Sequence, residues 1–433
     1  MSYRGGRIGG VTEWIAPTAA GPVSSTLRLP GSKSMTARAL VLSALADGPS
    51  EILRPLRARD TTLMAAGLRA LGAAIDTDSD ERWSVEPGPL RGPAQIDVGL
   101  AGTIMRFAPP VAALADGTVT FDGDPHARNR PLRPIVEALR ALGAVVDASS
   151  TGGLPLTVRG TGLVEGGEAV IDASASSQFV SGLLLSAPRF TKGLVLRHEG
   201  PPVPSAPHLQ MTVHMLRAAG AVVDDTVPDV WSVEPGVLSG RRWEIESDLS
   251  GAVPFFAAAM VTGGSVTLAG WPARSWQPVD RLTALLTQLG ALVTHGPEGL
   301  TVHGTGVLHG IRADLSAVSE LTPVVAALAA LADGPSELRG VAHIRGHETD
   351  RLAALARELT KVGASVVEHP DGLEITPGPL RAATFETYAD HRMAHAAAVV
   401  GLAVEGIVLS DVACTAKTLP EFPELWAGLV ARS

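Results

Sequence analysis

Seven cations stand where helices begin, a place with no ordinary structural use for them: Lys33, Arg38, Arg106, Arg130, Arg351, Arg392 and Lys417. A helix N-terminus carries partial positive charge, so a cation beside it is mildly unfavourable. An anion held between the two reverses that sign. Arginine adds planar, two-point recognition of phosphate and carboxylate groups. Two carboxylates share these places, Glu320 and Glu348, and carboxylates in such company are natural carriers of a proton. The Ser, Thr and Asp residues nearby are ordinary N-caps when taken singly. The set as a whole points to small, multiply charged anions and to proton transfer beside them.

These residues sit at equivalent places in a repeat. Apolar helical stretches end in a glycine at Gly48, Gly117, Gly193, Gly264, Gly334 and Gly406, spaced by 69, 76, 71, 70 and 72 residues. A second glycine marker follows at Gly72, Gly143, Gly220, Gly290 and Gly363, again about 72 residues apart. Each unit reads as helix, glycine turn, strand, second helix, glycine turn, strand, turn, strand. Apolar spacing such as Leu352, Leu355 and Leu359 marks the helices, and β-branched runs ending at Gly or Pro mark the strands. The first helices open on strings such as "GSKSMTAR" (Gly31–Arg38), "SASSQF" (Ser174–Phe179) and "YADHRM" (Tyr388–Met393). The sixth unit lacks its last strands, and Thr12–Leu29 has the missing strand character. The expectation is an α/β fold of two similar domains, each of three repeats, with a cleft between them. Residues 1–30 with 246–433 form one domain and 31–245 the other.

Composition narrows the class. The chain has 433 residues, 45% of them hydrophobic but only 4% aromatic, so Ala, Val and Leu must fill the cores. It carries 35 basic and 44 acidic residues, a net of −9, which argues against a nucleic-acid surface. No apolar run is long enough to span a bilayer, and no apolar stretch follows Arg4 and Arg7, so secretion is not expected. The single cysteine, Cys414, leaves no disulfide framework and no cysteine-based zinc site. It reads as a small buried residue without a helper base. A cytoplasmic protein is expected, with no metal, no cofactor and no membrane partner.

Six strings, in order, carry a resemblance: "LPGSKS" (Leu29–Ser34), "AGTIMR" (Ala101–Arg106), "SASSQF", "ETDRL" (Glu348–Leu352), "DHRMA" (Asp390–Ala394) and "AKTLPEF" (Ala416–Phe422). From about residue 12 to 430 the chain resembles the 3-phosphoshikimate carboxyvinyltransferase, or EPSP synthase, family. The resemblance implies two inside-out α/β domains and a cofactor-free transfer of the enolpyruvyl group of phosphoenolpyruvate to the 5-hydroxyl of shikimate 3-phosphate. It further implies a monomer whose partners are these small molecules.

Residue by residue, the resemblance assigns Lys33, Ser34, Arg38, Ser176, Ser177, Gln178, Ser205, Glu320 and His347 to shikimate 3-phosphate. It assigns Lys33, Gly102, Gln178, Arg130, Arg351, Arg392 and Lys417 to phosphoenolpyruvate. Glu320 stands where the family accepts the hydroxyl proton and Glu348 where a glutamate handles the proton on the enol carbon; Lys33 joins them as the third catalytic residue. Departures from the family pattern are His347 for a frequent lysine, His343 for asparagine, Glu320 for aspartate, Leu100 for asparagine and Phe107 for proline. Glyphosate, which the family binds in the phosphoenolpyruvate subsite, is expected to inhibit. The rival readings are UDP-N-acetylglucosamine enolpyruvyltransferase, which uses a cysteine in the first half of the chain, and a non-catalytic anion-binding protein. Asp60 and Asp350 read equally as helix-capping or structural pairs and as catalytic candidates.

Overall fold

The computed structural model describes residues 7–8 and 11–432. The chain divides into two compact units, one of the described residues up to Leu29 and from Ser247 onward, the other of Pro30–Glu246. Twelve helices are described: α1 Lys33–Ala44, α2 Arg59–Ala70, α3 Gly102–Ala113, α4 Arg133–Ala141, α5 Ser177–Ser186, α6 Ala206–Ala218, α7 Leu249–Thr262, α8 Val279–Gln288, α9 Thr322–Ala330, α10 Arg351–Val362, α11 His391–Ala403 and α12 Phe422–Val430.

The two kinds of helix differ in how they are buried. The even-numbered helices are amphipathic; α10, for example, buries Leu352, Leu355, Leu359 and Val362 on one side. The odd-numbered ones are apolar nearly all round, and every residue of α3 and α9 is buried. Helices of that kind must sit inside. In one unit α1, α3 and α5 pack on one another, and in the other α7, α9 and α11 do so. The sheets lie outside these triplets, an inside-out arrangement. Small residues allow the close packing: a Cβ on Gly182 of α5 would lie 2.2 Å from the Arg106 carbonyl of α3. That carbonyl belongs to the residue four before Pro110, whose ring nitrogen cannot donate to it.

Among the described residues there are five four-stranded sheets, one three-stranded sheet and a short hairpin. In the second repeat, Ala94–Asp97 pairs in parallel with Asp116–Asp122 across α3. Leu156–Thr161 then pairs antiparallel with Asp116–Asp122, and Val145–Ala148 with Leu156–Thr161. Each full repeat thus has one more strand than its sequence pattern suggests, a short edge strand that in the second, third and fifth repeats precedes the buried helix. The five glycines of the second marker set all have φ between +94° and +119°. Each ends an even-numbered helix in the left-handed conformation that glycine adopts freely.

Two strands are exchanged at the unit boundaries. Ser24–Leu27 precedes α1 in sequence yet pairs in parallel with Ser265–Ala269. Arg242–Glu244 precedes α7 yet pairs in parallel with Ser50–Leu53. The chain therefore passes from one unit to the other twice, each time just before a buried helix begins. Trp14–Ile15 pairs antiparallel with Val408–Leu409, so the N-terminal segment completes the sixth sheet as well as the fourth.

Candidate active site

In the unit holding α7, α9 and α11, one arginine organises the polar residues. Arg351 opens α10, where the Asp350 side chain caps the helix by accepting from Ala353 N at 3.1 Å. Its guanidinium is buried and donates to both Asp390 oxygens, at 2.8 and 3.2 Å. It also donates to Glu348 Oε2 at 2.6 Å and Glu320 Oε2 at 3.0 Å, and Nη1 lies 2.9 Å from His347 Nδ1. Asp390 in turn caps α11, accepting from Arg392 N at 2.9 Å. Arg392 donates to the Ser250 carbonyl at 2.7 Å and hydroxyl at 2.6 Å, and its Nε lies 3.6 Å from Glu320. Lys417 contacts Glu348 Oε1. The starts of α7, α10 and α11 and the turn before α9 are tied together by these bonds.

The charges set the protonation states. Burial by itself would raise the Glu320 carboxyl, but Arg351, His347 and Arg392 outweigh it and hold it well below the ordinary carboxylate range. Burial would lower the Arg351 guanidinium, but Asp390, Glu348 and Glu320 outweigh it and keep the charge firmly in place. Asp390 itself is pushed up by burial, against the pull of Arg351. Burial lowers His343, which shares a 2.8 Å hydrogen bond with the Ser319 hydroxyl. Three cations (Arg351, Arg392, Lys417) face three carboxylates (Glu320, Glu348, Asp390), so this cluster balances its own charge.

The other unit is different. Arg38 is 1% exposed, and its hydrogen bonds go to neutral oxygens: Thr212 Oγ1 at 2.8 Å, Ser34 O at 2.9 Å, His208 O at 3.1 Å and Ser181 Oγ at 3.2 Å. Burial pushes its guanidinium down to about 9, which leaves it charged at neutral pH. Lys33, in the first turn of α1, pairs with buried Asp60 at 3.3 Å. At the start of α3, a Cβ on Gly102 would lie 2.8 Å from Gln178 Oε1, 2.9 Å from Arg106 Nη1 and 2.9 Å from Arg130 Nη2. Three polar side chains therefore converge where Gly102 has none. Arg130 donates to Leu100 O at 2.9 Å, while its buried Nε has no hydrogen-bond partner. Cations here meet mostly carbonyls and hydroxyls, an arrangement suited to a bound anion.

The family model of EPSP synthase (3-phosphoshikimate 1-carboxyvinyltransferase) matches residues 17–426. The chain belongs to the EPSP synthase family. An EPSP synthase structure from Acinetobacter baumannii is similar at 25% identity and a TM-score of 0.80, covering 96% of this chain and 98% of that one. A second structure of EPSP synthase from Acinetobacter baumannii shares the fold at 24% identity and a TM-score of 0.79, covering 96% and 98%. The enolpyruvyl transferase NikO from Streptomyces tendae shares it at 19% identity and a TM-score of 0.74, covering 96% of each chain. No helix among the described residues is long and apolar enough to cross a membrane.

Within this EPSP synthase fold, the residues singled out in the sequence fall into two sets. Glu320, His347, Glu348, Arg351, Arg392 and Lys417 form the balanced cluster. Lys33, Gly102, Arg130 and Gln178 lie at the other unit's helix starts, with Ser34 supplying its carbonyl to Arg38. Ser176 caps α5 by accepting from Gln178 N at 3.2 Å, with Ser177 buried next to it. Ser205 precedes α6 with a left-handed φ of 55°. Arg106 plays a more structural part than its helix-start position suggests: it donates to Pro131 O at 2.9 Å and lies over the Phe179 ring.

Other residues escaped sequence reasoning. Asp390 is the buried partner of Arg351, and Thr212 and Ser181 hold Arg38; Asp390 and Ser181 are polar residues capping or lying on an otherwise apolar helix, which is the one signal available, and Thr212 on amphipathic α6 offers none. The expectation of no metal takes the histidines to form no HxxxH pattern, but the sequence contains two such spacings, His343/His347 and His391/His395. Their rings meet edge to face at 5.9 and 5.8 Å. Glu348, Asp390 and His391 bring ligand-type atoms within 4.8 Å of one another, but Arg351 and Lys417 already pair with the two carboxylates. Cys414 is partly exposed, and burial pushes its thiol up to about 12. A thiol so hard to ionise is a poor nucleophile.

Proposed function

We propose that this enzyme transfers the enolpyruvyl group of phosphoenolpyruvate to the 5-hydroxyl of shikimate 3-phosphate. The observation that carries the reading is Arg38, a fully buried guanidinium whose hydrogen bonds go only to neutral oxygens. A buried charge without a counter-charge is costly, and an anionic substrate supplies what is missing. Shikimate 3-phosphate would be held by Lys33, Ser34, Arg38, Ser176, Ser177, Gln178, Ser205, Glu320 and His347. Phosphoenolpyruvate would be held by Lys33, Gly102, Gln178, Arg130, Arg351, Arg392 and Lys417.

The chemistry follows from the protonation states. Glu320 is ionised at neutral pH, so it can accept the proton of the 5-hydroxyl as that oxygen attacks. The acid at the other end is the contacting pair Glu348 and Lys417, which delivers a proton to the methylene carbon of phosphoenolpyruvate. The central carbon gains oxocarbenium character, and the hydroxyl oxygen bonds to it. The tetrahedral adduct then loses a proton from its new methyl group back to the same pair. Its C–O bond to phosphate breaks with the electron pair on oxygen. Arg351 and Arg392 are held by fixed partners throughout, so their charges are in place before the reaction begins.

The protein acts on small molecules and needs no second copy in this reading. Phosphate release should require phosphoenolpyruvate and shikimate 3-phosphate together. Release with UDP-N-acetylglucosamine in place of shikimate 3-phosphate would favour the sister activity, and binding without turnover would favour an anion-binding protein.

A further inference from the structure

Helix α10 grips the segment 384–390 in two places. At its start Arg351 binds Asp390. Two turns further along, Glu358 is completely buried and takes no part in the cluster around Arg351. Its carboxylate accepts from the Tyr388 hydroxyl at 2.7 Å and from Glu386 N at 3.0 Å, and it pairs with Lys361. Lys361 also donates to Thr384 O at 3.0 Å. Burial and the neighbouring Glu358 both keep the Tyr388 phenol protonated, so it remains a donor.

Between the two grips lie two strained residues. Tyr388 and Ala389 both have φ of 54°, a left-handed conformation uncommon outside glycine. Two such residues in a row persist only where the surroundings overdetermine them. Their effect is to turn the chain so that Asp390 caps α11 and meets Arg351, with Arg392, the second residue of that helix, reaching Ser250.

We infer that Glu358 and Tyr388 are positioning residues for the reaction: through the left-handed Tyr388–Ala389 pair they aim Asp390 at Arg351 and Arg392 at Ser250, and so set the phosphoenolpyruvate-binding arginines. The inference rests on the functional reading above, which places phosphoenolpyruvate against Arg351 and Arg392. Neither Glu358 nor Tyr388 touches substrate in it.

The test is steady-state kinetics with both substrates varied, together with thermal unfolding. Tyr388→Phe removes one hydroxyl that bonds a buried charge, so the KM for phosphoenolpyruvate should rise about tenfold. The KM for shikimate 3-phosphate should stay unchanged, and Tm should move little. Adding Ala389→Asn, a side chain that tolerates left-handed backbone, should restore the phosphoenolpyruvate KM. Glu358→Gln should act in the same direction; if it does not fold, Tyr388→Phe decides alone. An unchanged phosphoenolpyruvate KM in Tyr388→Phe would overturn the inference. So would a fall in Tm with both KM values rising together, or a selective effect that Ala389→Asn fails to restore. Arg351→Lys assayed alongside separates the two levels: if it leaves the phosphoenolpyruvate KM untouched, the reading of the site is at fault rather than the positioning role.

Discussion

Arg351 and Asp390 join through two hydrogen bonds, 2.8 and 3.2 Å, with side chains 1% and 0% exposed, and this pair anchors the start of one buried helix to the start of its amphipathic neighbour. Glu348 and Glu320 bind the same guanidinium but keep Lys417 and Arg392 as further partners, so removing it leaves buried Asp390 without its cation. Arg351→Ala should therefore lower stability by about 3–5 kcal/mol, the range for breaking a buried ion pair. Chemical denaturation measures this directly. A loss below about 1 kcal/mol would mean the carboxylates find other partners.

His395 gives a pH dependence with a defined sign. Burial, then Arg392 and Arg351, lower its pKa well below that of a free imidazole, and neither ring nitrogen has a hydrogen-bond partner. The unfolded chain takes up a proton near pH ~6.5 while the folded protein does not. Stability therefore falls as pH drops below that value, by up to about 1.4 kcal/mol per pH unit from this group. His395→Leu should flatten the fall between pH 7 and 5. An equally steep fall in the variant would assign the effect to other groups.

Much of this is legible in the sequence, and the reasons differ by feature. The repeat is legible because Gly72, Gly143, Gly220, Gly290 and Gly363 answer to one backbone requirement, a left-handed helix end. The edge strand of most sheets is not, because segments such as Arg312–Asp314 and Ala94–Asp97 are three or four residues long and look like loop. The site's cations are legible as a type at a recurring place. Their partners are not: Asp390 lies 39 residues from Arg351 and Thr212 lies 174 from Arg38, and no periodicity links residues so far apart. The pairing of Arg242–Glu244 with Ser50–Leu53 is hidden for the same reason, while the strand character of Thr12–Leu29 already points to the return of Ser24–Leu27 to the domain of the later repeats.

Glu320 is ionised because Arg351, His347 and Arg392 overcome its burial. Its contribution to stability is present above its unfolded pKa of ~4.3 and lost as pH falls toward the depressed folded value. The acid limb of kcat that belongs to this group should accordingly lie below the ordinary carboxylate range. Glu320→Gln should cut kcat by ~10²–10⁴-fold, with smaller changes in both KM values. Near-normal kcat would remove Glu320 from proton transfer.

At Gly102 an added methyl group would press on Gln178, Arg106 and Arg130, all flexible side-chain ends that can give way. Gly102→Ala should fold normally, raise the KM for phosphoenolpyruvate, and weaken inhibition by glyphosate still more. Competitive inhibition against phosphoenolpyruvate in the parent, relieved in the variant, is the expected result. Equal inhibition of both would place the subsite elsewhere.

The most direct test of the central claim is mass spectrometry of the acceptor after turnover in deuterium oxide. Shikimate 3-phosphate should gain one enolpyruvyl group for each phosphate released, with deuterium in the vinyl carbon, because that carbon passes through a methyl group. An unmodified acceptor would contradict enolpyruvyl transfer to shikimate 3-phosphate, and a product whose vinyl carbon carries no deuterium would contradict addition followed by elimination.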